Sequence, residues 1–193
     1  GIHGATFSSL ELTEDSPSSA VQIGDPITQK KMIDMVLEAR DLGLIQVITD
    51  NGAGGLSSSV GELAELTGGA DLDLAAVPLK QSGLSKWEIL VSESQERMTI
   101  GINPEDCEEF EKLAKLHEVE ATAVGKFTDS GAFVVHYGDE TVAHLPISFL
   151  HDGCPQLQLE SEWQKPKHRP IIFPSTDAVE MGKILSRLMA RPN

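Results

Sequence analysis

The chain has 193 residues, 40% hydrophobic and 23% charged, which suits one globular domain with a proper core and is too short for two. Its formal charge of -15 argues against unassisted binding to nucleic acid or to an anionic membrane, since both require basic patches. A phosphate-bearing ligand stays open, because backbone amides at helix N-termini hold phosphate without cationic side chains.

Residues 8 to 19 are rich in Ser, Glu, Asp and Thr and read as a solvated loop. A short strand over Ala20–Ile23 stops at Gly24-Asp25-Pro26, where Asp25 can cap and Pro26 can open a helix reaching Leu42. Met32, Met35, Val36 and Ala39 form its buried stripe. Leu44–Ile48 reads as a strand and places Asp50 at its end, before the turn Asn51-Gly52-Ala53-Gly54-Gly55. Ser57–Ser59 can then cap a second helix with Val60, Leu63, Ala64 and Leu66 inward, stopped by Gly68-Gly69. Residues 70 to 77 read as a strand, Ser85–Val91 as a short helix, and Met98–Ile102 as a further strand. Asn103-Pro104-Glu105-Asp106 is a strong start for a helix running to His117. Strands follow at Ala121–Val124, Ala132–His136 and Thr141–Leu145, with hairpin-style turns at Asp129–Gly131 and Gly138–Glu140. Prolines 155, 166, 170 and 174 mark an extended connector before an amphipathic helix over Thr176–Met189. This order predicts an α+β fold, three-layer α/β/α around a mixed sheet. The predicted domain spans residues 1–152, with connector and terminal helix over 153–193.

Cys107 and Cys154 form no CxxC pair, so neither a disulfide framework nor structural zinc is expected, and a reducing cytoplasm is the default. No run approaches the roughly 20 apolar residues that cross a bilayer, and no basic-then-apolar signal opens the chain. His117, His136, His144 and His151 make no metal pair at i, i+4.

Asp50 is the sharpest candidate. A carboxylate at a strand's C-terminal edge before a glycine turn suits a hard cation bridging to phosphate oxygens; equally, it can accept amide hydrogen bonds within its own turn. Glu93-Ser94-Gln95 crowds hydrogen-bonding groups before a strand; it is either a polar strand entry in which Glu93 pairs with Arg97, or a ligand contact. An amide such as Gln95 both donates and accepts, which suits an amide-bearing ligand. Glu96 and Arg97 read as the support that orients that triplet. Gln22 sits inside a β-branched run, where it satisfies a neighbouring backbone or reaches a ligand. His3, between glycines, is a base, an anion contact or a plain loop residue.

Gly1-Ile2-His3-Gly4-Ala5-Thr6-Phe7, Val21-Gln22-Ile23-Gly24-Asp25-Pro26, Asp50–Leu56 and Ser92–Met98 occur in this order and together resemble the phosphoribosylformylglycinamidine synthase family. The resemblance spans the first 150 residues or so and concerns the C-terminal half of the first synthetase-like repeat. It implies the fold of the aminoimidazole ribonucleotide (AIR) synthetase C-terminal domain. The implied activity is ATP-dependent amidotransfer in purine biosynthesis: formylglycinamide ribonucleotide, glutamine and ATP give formylglycinamidine ribonucleotide. By resemblance Asp50 is a magnesium ligand, Gln22, Glu93, Ser94 and Gln95 contact substrate, and His3 is catalytic. ATP would be bound mainly by other domains. The partners implied are the preceding and following domains of the parent synthase and a glutaminase domain or subunit. A chain opening inside a motif without methionine reads as a piece of a longer protein, inactive alone. The family usually carries Asp-Met-Gly-Ala-Ala-Gly-Leu where this chain has Asn51 and Gly55, a change that spares the carboxylate. Two alternatives are another member of the superfamily, such as selenophosphate synthetase or thiamine-monophosphate kinase, and a non-catalytic scaffold repeat.

Overall fold

The computed structural model describes residues 24–167 and 178–191. Helix α1 spans Pro26–Asp41; the Asp25 carboxylate caps it, accepting from Ile27 N at 3.3 Å and from Thr28 Oγ1 at 2.8 Å. Strand β1 is Val47–Asp50, two to three residues later than the apolar run suggested. The difference arises because Leu44 is not a strand residue; it is buried in a core with Met35 and Ala39. Helix α2 covers Gly55–Thr67 and β2 covers Ala70–Asp73. A 3-10 turn follows at Leu74–Ala76, then α3 at Lys86–Val91 and β3 at Met98–Gly101. A second 3-10 turn, Pro104–Asp106, leads into α4 at Cys107–Leu116. The unit closes with β4 (Gly125–Phe127), β5 (Ala132–Tyr137), β6 (Glu140–Pro146) and α5 (Ile147–Asp152).

The fold is α+β with a mixed sheet, and the described strands divide into two sheets; the strand predicted over Ala20–Ile23 lies outside the described residues. β1 and β3 pair antiparallel. The larger sheet has the order β4-β2-β5-β6, with β2 parallel to β5 and the other pairs antiparallel. Each sheet has its own core. Leu56, Val60 and Ala64 of α2 and Ile89 of α3 pack on Ala70, Leu72, Phe133 and Val135 of the larger sheet. Met35 and Ala39 of α1 meet Phe110, Leu113 and Ala114 of α4, with Ile100 of β3 packed alongside. Gly101 brings the sheets together: a Cβ there would lie 2.7 Å from Val47 Cγ1 and 3.3 Å from the Phe127 ring of β4.

Several sequence expectations are corrected. The strand predicted over 70–77 stops at Asp73, whose carboxylate accepts from Ala75 N at 2.9 Å and Gly138 N at 3.0 Å, turning the chain into the 3-10 element. The strand predicted over Ala121–Val124 lies at Gly125–Phe127. Asp129–Gly131 is no hairpin turn, because β2 sits between β4 and β5; Gly68 and Gly69 carbonyls instead receive Gly131 N and Thr128 N. Leu66 is 74% exposed, and Leu56 takes the buried position on α2. The serines do not cap α2: Ser57 Oγ donates to the Gly54 carbonyl and Ser58 Oγ to that of Ala53, while Gly54 is the cap residue. Helix α5, not expected from sequence, is tied to α2 by His151 Nε2 at 3.2 Å from the Gly61 carbonyl.

The described residues up to Pro155 form one compact unit, and those from Gln156 another. In the latter, residues 156–167 hold neither helix nor strand, and α6 spans Ala178–Met189. Among the described residues no helix is long and apolar enough to cross a membrane.

Four carboxylates are held below their ordinary pKa by local bonds. Thr28 lowers Asp25, the Ala75 and Gly138 amides lower Asp73, Ser85 lowers Glu88, and Lys31 lowers Glu118. A carboxyl with a depressed folded pKa stabilises above its unfolded value and loses that contribution as pH falls through the folded value. Thermal melts should therefore be flat from neutrality to the upper carboxylate range and fall steadily below it. Asp73→Asn should show a shallower acid-side fall than the parent chain.

Candidate functional site

Antiparallel pairing of β1 with β3 places Asp50 opposite Met98, so the turn that leaves β1 lies beside the segment that enters β3. The pairing continues one step further, since Asn51 N donates to the Arg97 carbonyl at 3.2 Å. Gly55 has φ +54°, and a Cβ on it would lie 2.2 Å from Ser92 O and 2.9 Å from Ser92 N and C. Only a residue without a side chain lets the two backbones approach so closely. Arg97 Nη2 donates to that same Ser92 carbonyl. Glu96, at φ +51°, turns its carboxylate outward from the segment to accept Asp25 N through Oε1 at 3.1 Å. Three stretches of chain, 24–25, 50–55 and 92–97, thus meet at one place.

The predicted site residues distribute as follows. Asp50 is exposed at the end of β1. Glu93 and Ser94 are half-buried and Gln95 is exposed, all three on the loop between α3 and β3. Ser94 Oγ lies 3.2 Å from Ser92 Oγ. His3 and Gln22 lie outside the described residues. Arg97 fixes the loop's first carbonyl, and Glu96 ties the loop to the start of α1. Cys107, the first residue of α4, is half-buried with its Sγ 3.6 Å from the Asn103 carbonyl.

Sequence reasoning missed a polar knot beneath the turn. Asn51 is 5% exposed, and its Oδ1 accepts from Ser59 Oγ at 2.7 Å and Thr99 Oγ1 at 3.1 Å; the two hydroxyls are 2.9 Å apart. The knot links the Asp50 turn to the first turns of α2 and to β3. Its signal in the sequence was Ser59, a hydroxyl on the same α2 face as Leu56, Val60 and Leu63. Three side-chain atoms around this junction are buried without a hydrogen-bond partner among the described residues: Asn51 Nδ2, Glu96 Oε2 and Arg97 Nε. Burial also pushes the Arg97 guanidinium pKa down. Buried polar atoms left unpaired cost about 1–3 kcal/mol each, so the junction is held at an energetic cost.

Among the described residues no group of three or more His, Cys, Asp or Glu side chains is placed to hold a metal ion. The described residues at the turn thus form no all-protein cage of the kind that holds zinc or calcium. Asp50 is a single carboxylate, and Gly52 leaves it room: a Cβ there would stand 3.0 Å from Asp50 Oδ2. Magnesium takes few protein ligands, keeping water and phosphate oxygens for the rest, so a lone exposed carboxylate over a glycine turn fits that ion.

A family model described as "AIR synthase related protein, C-terminal domain" matches residues 1–138. The chain is 42% identical over 166 residues to the phosphoribosylformylglycinamidine synthase subunit PurL of Methanopyrus kandleri, covering 84% of this chain and 23% of that protein. To the PurL subunit of Ignicoccus hospitalis it is 37% identical over 198 residues, covering 100% of this chain and 27% of that one. Among solved structures, Thermotoga maritima PurL complexed with ATP superposes with a TM-score of 0.69 at 29% identity, over 85% of this chain and 29% of that one. The same protein complexed with FGAR superposes with a TM-score of 0.69 at 28% identity, over 90% and 29%. The resemblance read from the four motifs is borne out, and the chain spans about a quarter of the length of these curated relatives.

The Gly55–Ser92 approach makes a direct prediction. Gly55→Ala should cost about 1–3 kcal/mol, through a strained backbone and a forced shift of Ser92. Gly61→Ala, on the same helix with nothing within 4 Å of the new Cβ, should be neutral or stabilising. Parallel thermal melts of the two variants read the difference.

Proposed function

The chain belongs to the AIR synthase related protein family, as its C-terminal domain, and on that premise we propose that it is the substrate- and magnesium-contacting part of a phosphoribosylformylglycinamidine synthase. The observation that carries this reading is the junction itself, where the Asp50 turn and the Ser92–Arg97 loop lie against each other through Gly55. The parent would be a cytoplasmic ligase of purine biosynthesis. It would use ATP and glutamine-derived ammonia to convert formylglycinamide ribonucleotide to formylglycinamidine ribonucleotide. ATP would be bound mainly by domains outside this chain, and a glutaminase domain or subunit would supply ammonia. The connector and helix beyond residue 152 would lead to the next domain.

In this reaction the amide oxygen of the substrate is a poor leaving group, and transfer of a phosphoryl group to it makes phosphate the group that ammonia displaces. Asp50 would hold the magnesium ion, whose contribution when bound is to offset charge on the phosphoryl oxygens. Gln95, exposed at the loop tip, would present both a donor and an acceptor to the amide-bearing substrate. Ser94 adds a hydroxyl and Glu93 a carboxylate, which accepts from ribose hydroxyls or an amide N–H. Gln22 is assigned a substrate contact on the family resemblance alone. His3 is assigned a catalytic role on the family resemblance alone. This chain by itself would be folded and inactive.

The test is Asp50→Ala in the full-length synthase. Magnesium-dependent turnover should drop by about 100-fold or more while thermal stability is retained. A rate within about twofold of wild type would mean a scaffold role instead.

A further inference from the structure

The loop that presents Glu93, Ser94 and Gln95 is a ring of six residues, Ser92 to Arg97, closed on itself by Arg97. Its guanidinium Nη2 donates to the Ser92 carbonyl, while its own backbone carbonyl receives Asn51 N. One residue therefore touches both the first residue of the substrate loop and the turn that carries Asp50. The Ser92 carbonyl is also the atom against which Gly55 is packed. Packing alone does not account for an arginine here. Its Nε is buried with no partner among the described residues, and burial disfavours its charge. An apolar side chain of similar length would fill the space without that cost. What an apolar side chain lacks is the N–H that closes the ring.

We propose that Arg97 is a positioning residue: it holds the 92–97 ring in the shape that displays Glu93, Ser94 and Gln95, and keeps that display in register with the Asp50 turn. The assignment rests on the reading that this loop contacts an amide-bearing ribonucleotide. Losing the Ser92 bond removes the side-chain closure between the two ends of the loop, while the Glu96 bond to Asp25 N and the β3 ladder stay in place. The display then becomes one of several loop shapes, and apparent substrate affinity falls by the fraction still competent. ATP affinity, set elsewhere in the parent protein, stays as it was.

Steady-state kinetics on the full-length synthase test this with Arg97→Met, Arg97→Lys and Gln95→Ala. Arg97→Met should raise KM for formylglycinamide ribonucleotide about tenfold or more and leave KM for ATP within about twofold. Arg97→Lys, which keeps a charged N–H donor at the end of a long side chain, should return the ribonucleotide KM to within about threefold of wild type. A merely structural arginine would lower thermal stability and the active fraction without moving that KM, and such a result overturns the proposal. If Arg97→Met does not fold, Arg97→Gln, polar but too short to reach the Ser92 carbonyl, should show the same rise. A rise in Gln95→Ala with none in the Arg97 variants overturns the positioning role alone. No rise in any of them overturns the substrate-loop reading as well.

Discussion

The antiparallel pairing of β1 with β3 is the constraint on which the rest of the site depends. It sets Asp50 opposite Met98, and from that register follow the Asn51–Arg97 backbone bond and the contact of Gly55 with Ser92. A slip of one residue would turn every side chain on the strand to the other face. Asn51 would then leave Ser59 and Thr99, and the buried hydroxyls would lose their acceptor. The polar knot therefore helps specify the register as well as linking the elements.

The small ladder is steadied from two sides. On one, Ile100 packs into the core built by α1 and α4, with the exposed Lys31–Glu118 ion pair and a His117–Glu38 hydrogen bond joining α1 to the end of α4. On the other, α2 begins at the site with Gly55 and continues into the larger core with Leu56, Val60 and Ala64. Exposed ion pairs contribute little, about 0–1 kcal/mol each, so the two apolar cores are what hold the ladder in place. The two loops are thus short segments anchored at both ends on packed elements, an arrangement that suits the ligand contacts proposed for them.

Much of this was legible in the sequence. The Asp25-Pro26 cap, the Ser85–Val91 helix and the Asn103-Pro104 start rest on local chemistry, and the structure has them within a residue or a few. The glycine turn after Asp50 and the polar run Ser92–Arg97 stood out by composition, and the structure sets the two segments against each other. Most of the misses are tertiary. Nothing local says that β2 inserts between β4 and β5, so Asp129–Gly131 looked like a hairpin. Asp73 ends its strand early by accepting Gly138 N, an amide 65 residues away. The triplet Ser57–Ser59 looked like a cap, yet Ser57 and Ser58 turn back to carbonyls while Ser59 points into the knot. Gly55 looked like one more turn glycine, and its need becomes visible only when Ser92 is set against it.

The most direct test of the account is the structure of the full-length protein with an unreactive ATP analogue, magnesium and formylglycinamide ribonucleotide bound. The account predicts a metal at about 2.0–2.1 Å from an Asp50 carboxylate oxygen, and the ribonucleotide in contact with Glu93, Ser94 or Gln95. A metal and substrate seated away from both segments, with the ring open to solvent, would contradict it.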